Sequence, residues 1–124
     1  MLTLAPRVRV FVAPEPIDLH LSFDRLAGIV RNQLRGDPLL GDLFAFFNKT
    51  RTRTKILLFD GSGYAVYYKR LERGTFQLPV VPAGSVRVEV DAATLAMILA
   101  GIDLRAPRRL RYRHAGPREP VVQT

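Results

Sequence analysis

The tetrapeptide Asp60-Gly61-Ser62-Gly63 constrains this chain more than any other stretch, because its glycines accept positive φ and it joins two apolar runs at hairpin distance. Thr54 to Phe59 leads into it and Tyr64 to Arg70 returns from it. The turn therefore predicts an antiparallel pair in which Phe59 faces Tyr64, Leu57 faces Val66 and Lys55 faces Tyr68. The other side pairs Leu58 with Ala65, Ile56 with Tyr67 and Thr54 with Lys69. Apolar residues fall on both sides of this ribbon. One face then needs a helix, and the other a second layer, a partner or a ligand that stacks on Tyr64 and Tyr68.

The flanking sequence supplies candidates for both layers. Leu43-Phe44-Ala45-Phe46-Phe47 has the length and aromatic content of a buried strand, and the polar, basic stretch from Asn48 to Arg53 connects it to the hairpin. The result is an antiparallel meander over about 43–70. Arg7 to Val12 alternates with the period of a half-buried strand, closed by Pro14 and Pro16. From Ser22 the spacing turns helical: Phe23, Leu26, Ala27, Val30 and Leu34 share a face, Ser22 is placed to cap, and Gly36 to terminate, which predicts a helix over about 23–35. After Phe76 and Pro79, residues 80–84 read as a linker and Val86 to Val90 as another alternating strand. Asp91 is placed to cap a helix over about 92–101, striped by Leu95, Ile98, Leu99 and Ile102 and stopped by Gly101. The expected class is α+β: a mainly antiparallel sheet with the first helix on one face and the second near an edge or on the other face. Residues 1–106 are expected to form one domain, with 107–124 a flexible basic tail.

Charge narrows the partners. The formal net charge is +8, and it is concentrated. Lys49, Arg51, Arg53, Lys55, Lys69, Arg70 and Arg73 stand against only Asp60 and Glu72, and the stretch from Arg105 onward holds six arginines, Arg108, Arg109 and Arg111 among them, against Glu119. A localised excess of this kind attracts a polyanion or an acidic protein surface. Cysteine is absent, which removes disulfides, thiolate metal sites and thiol nucleophiles. The first twenty residues are broken by Pro6, Arg7 and Arg9 and lack the apolar core of a secretory signal, and no apolar run approaches the roughly 20 residues of a membrane span. A soluble, cytoplasmic protein without membrane partners is expected.

Little points to catalysis. The aspartates are scattered: Asp18 and Asp24 flank a helix start, Asp37 and Asp60 lie in turns, and Asp91 and Asp103 lie near helix ends, so capping and turn roles account for them. His20 and His114 are the only histidines. The glycines match neither a P-loop nor a dinucleotide fingerprint. No catalytic residue, metal site or cofactor is expected. The basic connection is either a solvated loop or a phosphate-binding row; alternation of Lys49, Arg51, Arg53 and Lys55 along an extended segment would space cations about 6 to 7 Å apart on one side. Tyr64 and Tyr68 are either cross-strand packing or stacking platforms for unpaired bases.

Lys55 to Gly63, then Tyr68-Lys69-Arg70-Leu71-Glu72-Arg73-Gly74-Thr75-Phe76 and Pro79, resemble the signature of the TnpB accessory family of the insertion sequences numbered sixty-six, encoded by the second open reading frame of those elements. Val8 to Val12, Asp18, Ser22-Phe23-Asp24, Asp37-Pro38, Asn48-Lys49 and Gly101-Ile102-Asp103 fit in order, so the likeness runs to about Arg109. This family is distinct from the RNA-guided nuclease of the same name. Where aromatic residues, often tryptophan, are common in relatives, this chain has Ile56-Leu57-Leu58-Phe59 and no tryptophan at all. The resemblance implies an accessory role in transposition beside a separate transposase and carries over no catalytic residues. Expected partners are DNA, the transposase of the same element and a second copy of the chain. The expected DNA contacts are Lys49, Arg51, Arg53, Lys55, Lys69, Arg70, Arg73, Arg108, Arg109 and Arg111. Tyr64 and Tyr68 are the stacking or partner surface. The alternative is a protein-interaction module without direct DNA contact, docking through an exposed apolar sheet face.

Overall fold

The computed structural model describes residues 8–102. Its hairpin forms in the expected register: β3 (Arg53–Phe59) and β4 (Tyr64–Arg70) pair antiparallel with Phe59 opposite Tyr64 and Lys55 opposite Tyr68. Asp60 holds the turn, its Oδ1 accepting the backbone N–H groups of Ser62 at 2.9 Å and Gly63 at 3.0 Å, while Gly61 takes φ +99°. On the other side of β3, β2 (Leu43–Phe47) pairs antiparallel and completes the meander.

Beyond β2 the sheet becomes mixed. β1 (Val10–Val12) lies parallel to β2, and β5 (Val88–Val90) lies antiparallel to β1, giving the order β4-β3-β2-β1-β5. A parallel neighbour requires a crossover, and α1 (Phe23–Asn32) lies in it. The alternation before Pro14 predicted a half-buried first strand. Instead Val10, Phe11 and Val12 are all buried, because β1 is an interior strand covered on both faces. Arg7 lies outside the described residues.

Two apolar clusters lie on the two faces of the sheet. Leu26, Ala27 and Val30 of α1, with Leu34, pack on Phe11, Phe44, Phe46 and Leu57. On the opposite face Leu95 and Ile98 of α2 (Ala92–Leu99), joined by Phe76, pack on Val10, Val12, Leu43, Ala45, Phe47 and Ile56. Phe76 is fully buried, edge-on to Phe47 at 5.4 Å. Read from sequence it merely preceded a linker, yet burial of such a ring contributes about 1.5–3 kcal/mol. Both faces of β2 are therefore covered within the described residues, while Tyr67 and Tyr68 of β4 stay exposed on opposite sides of the sheet.

The helix ends depart from expectation. Ser22 sits at the start of α1, but its side chain makes no capping bond, and the helix stops at Asn32. Arg35, not Gly36, takes the left-handed conformation at φ +54°, while the Gly36 N–H returns to the Val30 carbonyl at 2.9 Å. Gly36 is needed for space: a Cβ there would lie 3.0 Å from Cε1 of Phe44. The second helix is capped as expected, Asp91 Oδ1 accepting from the Thr94 N–H at 2.7 Å, though it ends at Leu99.

Candidate nucleic-acid interface

The basic connection is a tight turn, which corrects the extended row of cations. Asn48 replaces the ladder partners that the turn loses: its Oδ1 accepts from the N–H groups of Thr52 at 2.9 Å and Arg53 at 3.0 Å, and its amide donates to the Thr50 and Thr52 hydroxyls. Arg51 adopts φ +58° and donates its N–H to the Asn48 carbonyl. Behind the turn, the Phe76 N–H donates to the Arg51 carbonyl at 2.7 Å and the Leu71 N–H to the Thr52 carbonyl at 2.9 Å. Lys49 and Arg51 are thus displayed on a braced turn, exposed, without the regular spacing of a strand.

The pleat then sorts the remaining cations. Arg53, Lys55, Tyr64, Tyr68 and Arg70 project to the side of α1, whereas Lys69 projects to the side of α2. Lys69 Nζ donates to the Leu99 carbonyl at 2.7 Å, where a cation favours the negative end of α2. A single convergent footprint is accordingly not what forms: Lys69 belongs to the opposite face. Lys55 is half-buried, its Nζ donating to the Leu21 carbonyl at 3.1 Å and lying 5.1 Å from the centre of the Tyr68 ring. Arg53 and Arg70 are exposed and directly opposite one another across the ladder, and Arg70 is paired with Glu72 at 2.9 Å. Arg73 is exposed on the following bend, and Arg108, Arg109 and Arg111 lie outside the described residues.

The two tyrosines behave differently. Tyr64 packs edge-on to Phe59 at 5.3 Å and adjoins the α1 cluster, the packing alternative. Tyr68 is 51% exposed, and its hydroxyl oxygen accepts from an Arg53 Nη1–H at 3.3 Å. Two open clefts adjoin it, one of about 440 Å3 whose walls include Asp18, His20, Asn48, Lys49 and Arg53, and one of about 390 Å3 bounded by Arg53, Arg70 and Glu72. Asp18 is the acidic element of the larger wall. The His20 backbone N–H, at 2.9 Å, and then its ring nitrogen, at 2.7 Å, hold the Asp18 carboxyl below its ordinary value, so it stays ionised.

This surface offers hydrogen-bond donors, fixed positive charge and one exposed aromatic ring, the means of binding an anionic polymer. Among the described residues no group of three His, Asp or Glu side chains is placed to hold a metal. Sequence reading missed Asn48 as the organiser of the turn, although threonines at two and four residues beyond it were a visible sign of side-chain turn bonding. It also missed the Asp18–His20 wall, which meets the basic turn only through the fold.

Comparison with known proteins brings this geometry together with a family. The family model described as IS66 Orf2-like protein matches residues 8–109. Two Sinorhizobium fredii proteins are similar over most of their length: y4hO, 35% identical across 87% of this chain and 92% of its own, and y4jC, 32% identical across 82% and 86%. Both are described as uncharacterized. No solved structure matches the chain.

Proposed function

The chain belongs to the IS66 Orf2-like family, whose role is that of a transposition-associated accessory protein, and on that premise we propose that it binds DNA without catalysis and helps assemble the transposase complex. The observation that carries this reading is the grouping of Arg53, Arg70 and Lys49 around exposed Tyr68, on the side of the β3–β4 edge away from α2. Arg51 and Arg73 extend the same reading to the turn and the bend. Lys55 contributes charge while anchored to Leu21. Arg108, Arg109 and Arg111 add affinity that is indifferent to sequence.

Anisotropy titrations of labelled duplex against salt test the proposal. Each phosphate contact contributes about 0.9 to the slope of log K against log salt. Arg53→Ala and Arg70→Ala should each flatten the slope, and Lys69→Ala, on the other face, should leave it unchanged. DNA cleavage dependent on a divalent metal and abolished by Asp60→Ala would replace the non-catalytic reading with an enzymatic one.

A second reading, docking of the transposase or of another copy without DNA contact, is favoured by Leu39 and Leu40, which are 54% and 71% exposed on the short 3-10 helix Pro38–Leu40. Absence of any duplex binding at low salt, together with co-purification with the transposase, would select it.

A further inference from the structure

Arg53 and Arg70 are partners in the β3–β4 register, and like charges directly opposite one another destabilise a ladder. Glu72 answers one of the two, through Arg70. An anion seated between them would relieve the repulsion. Beside this pair, Tyr68 is held from two directions: the Lys55 ammonium sits 5.1 Å from the ring centre, and Arg53 donates to its hydroxyl. The ring is oriented in advance, half exposed on an outer strand, and it forms part of the boundary of both clefts. Stacking on an aromatic ring requires a free base face, which a paired duplex keeps inside its own stack and an unpaired strand exposes.

Resting on the reading of this face as a nucleic-acid contact, we propose that its ligand is an unpaired strand, with one base stacked on Tyr68, one flanking phosphate at Arg53 and Arg70, and the strand continuing past Lys49. The chain is then a reader of unpaired segments, such as those exposed when a duplex end is opened, in preference to intact duplex. Its stacking component is insensitive to salt, and its phosphate component carries the salt slope.

The test is a set of anisotropy titrations with a labelled 20-nucleotide oligothymidine, the matching oligouridine and a mixed-sequence 20-base-pair duplex, at several salt concentrations. The expected result is tighter binding of the single strands than of the duplex. Tyr68→Leu should weaken single-strand binding about 5- to 150-fold at every salt concentration without changing the slope, and should weaken duplex binding much less. Tyr68→Phe, which keeps the ring, should retain most of the affinity and guards against a folding defect. The oligothymidine and oligouridine arms assign the source as DNA or RNA. Duplex binding equal to or tighter than single-strand binding, or a Tyr68→Leu protein that binds single strands like the wild type, would overturn the proposal. If Arg53→Ala still flattened the duplex slope, the basic face would survive that failure; if no nucleic acid bound at low salt, both readings would fall together.

Discussion

At Asn48 one side chain substitutes for a stretch of backbone pairing, and its loss is correspondingly specific. Asn48→Ala leaves the N–H groups of Thr52 and Arg53 without their acceptor and should cost about 1–3 kcal/mol, seen as a lower urea midpoint at unchanged m-value. Asn48→Asp keeps the acceptor and should lose less. Gly36 is a packing residue: Gly36→Ala drives a methyl against the Phe44 ring and should destabilise by about 1–3 kcal/mol in thermal unfolding. An unchanged transition would show that the ring gives way freely. Acid sensitivity also belongs to single residues. Backbone and side-chain bonds from Ser62 depress the Asp60 carboxyl, and the Thr94 N–H depresses Asp91, so each is bound more weakly by protons folded than unfolded. Their contribution is present above the unfolded carboxylate value near pH 4 (about 3.9) and disappears as the pH falls through the lower folded values. Unfolding midpoints should therefore shift downward as the pH falls below about 4, and Asp60→Asn, which keeps the turn acceptor, should reduce that acid-side loss.

Among the elements, the hairpin was the most legible and the termini of α1 the least. The register of β3 on β4 follows from a turn of fixed length and from side-chain parity, both local properties, and every pairing expected from the sequence forms. The end of α1 depends instead on a residue more than fifty positions away. Arg87, just before β5, donates from one Nη1 to the carbonyls of Leu34 at 2.8 Å and Arg35 at 2.9 Å, and its guanidinium lies 4.9 Å from the centre of the Phe11 ring. It ties down two carbonyls in the turn that follows the helix, and this clamp accompanies the left-handed conformation at Arg35. Arg87→Ala should cost about 1.5–3 kcal/mol of unfolding free energy in urea, and Arg87→Lys should recover only part of it, because an ammonium lacks the planar fork. A loss confined to a few tenths would mean that the clamp is solvent-screened.

In the molecule as a whole, β1 and β2 are sandwiched between two helical layers while β4 presents one open edge. Native-state hydrogen exchange should accordingly find the amides of Leu43–Phe47 protected up to the global unfolding limit and the outward amides of β4 exchanging by local opening. No helix among the described residues is long and apolar enough to cross a membrane. By itself the sequence determined the period of each element, the hairpin register, the α+β class and the parity of every charged residue on β3 and β4, because these depend on covalent geometry and on neighbours within a turn. Only the tertiary structure decided that β1 enters the sheet parallel and interior, that Phe76 fills the second core, and that Lys69 caps α2 while Arg53 and Arg70 stay exposed beside Tyr68. Parity says which residues share a side; what covers that side is set by apolar stripes and carbonyl ends brought from thirty or more residues away, as the span from Lys69 to Leu99 illustrates.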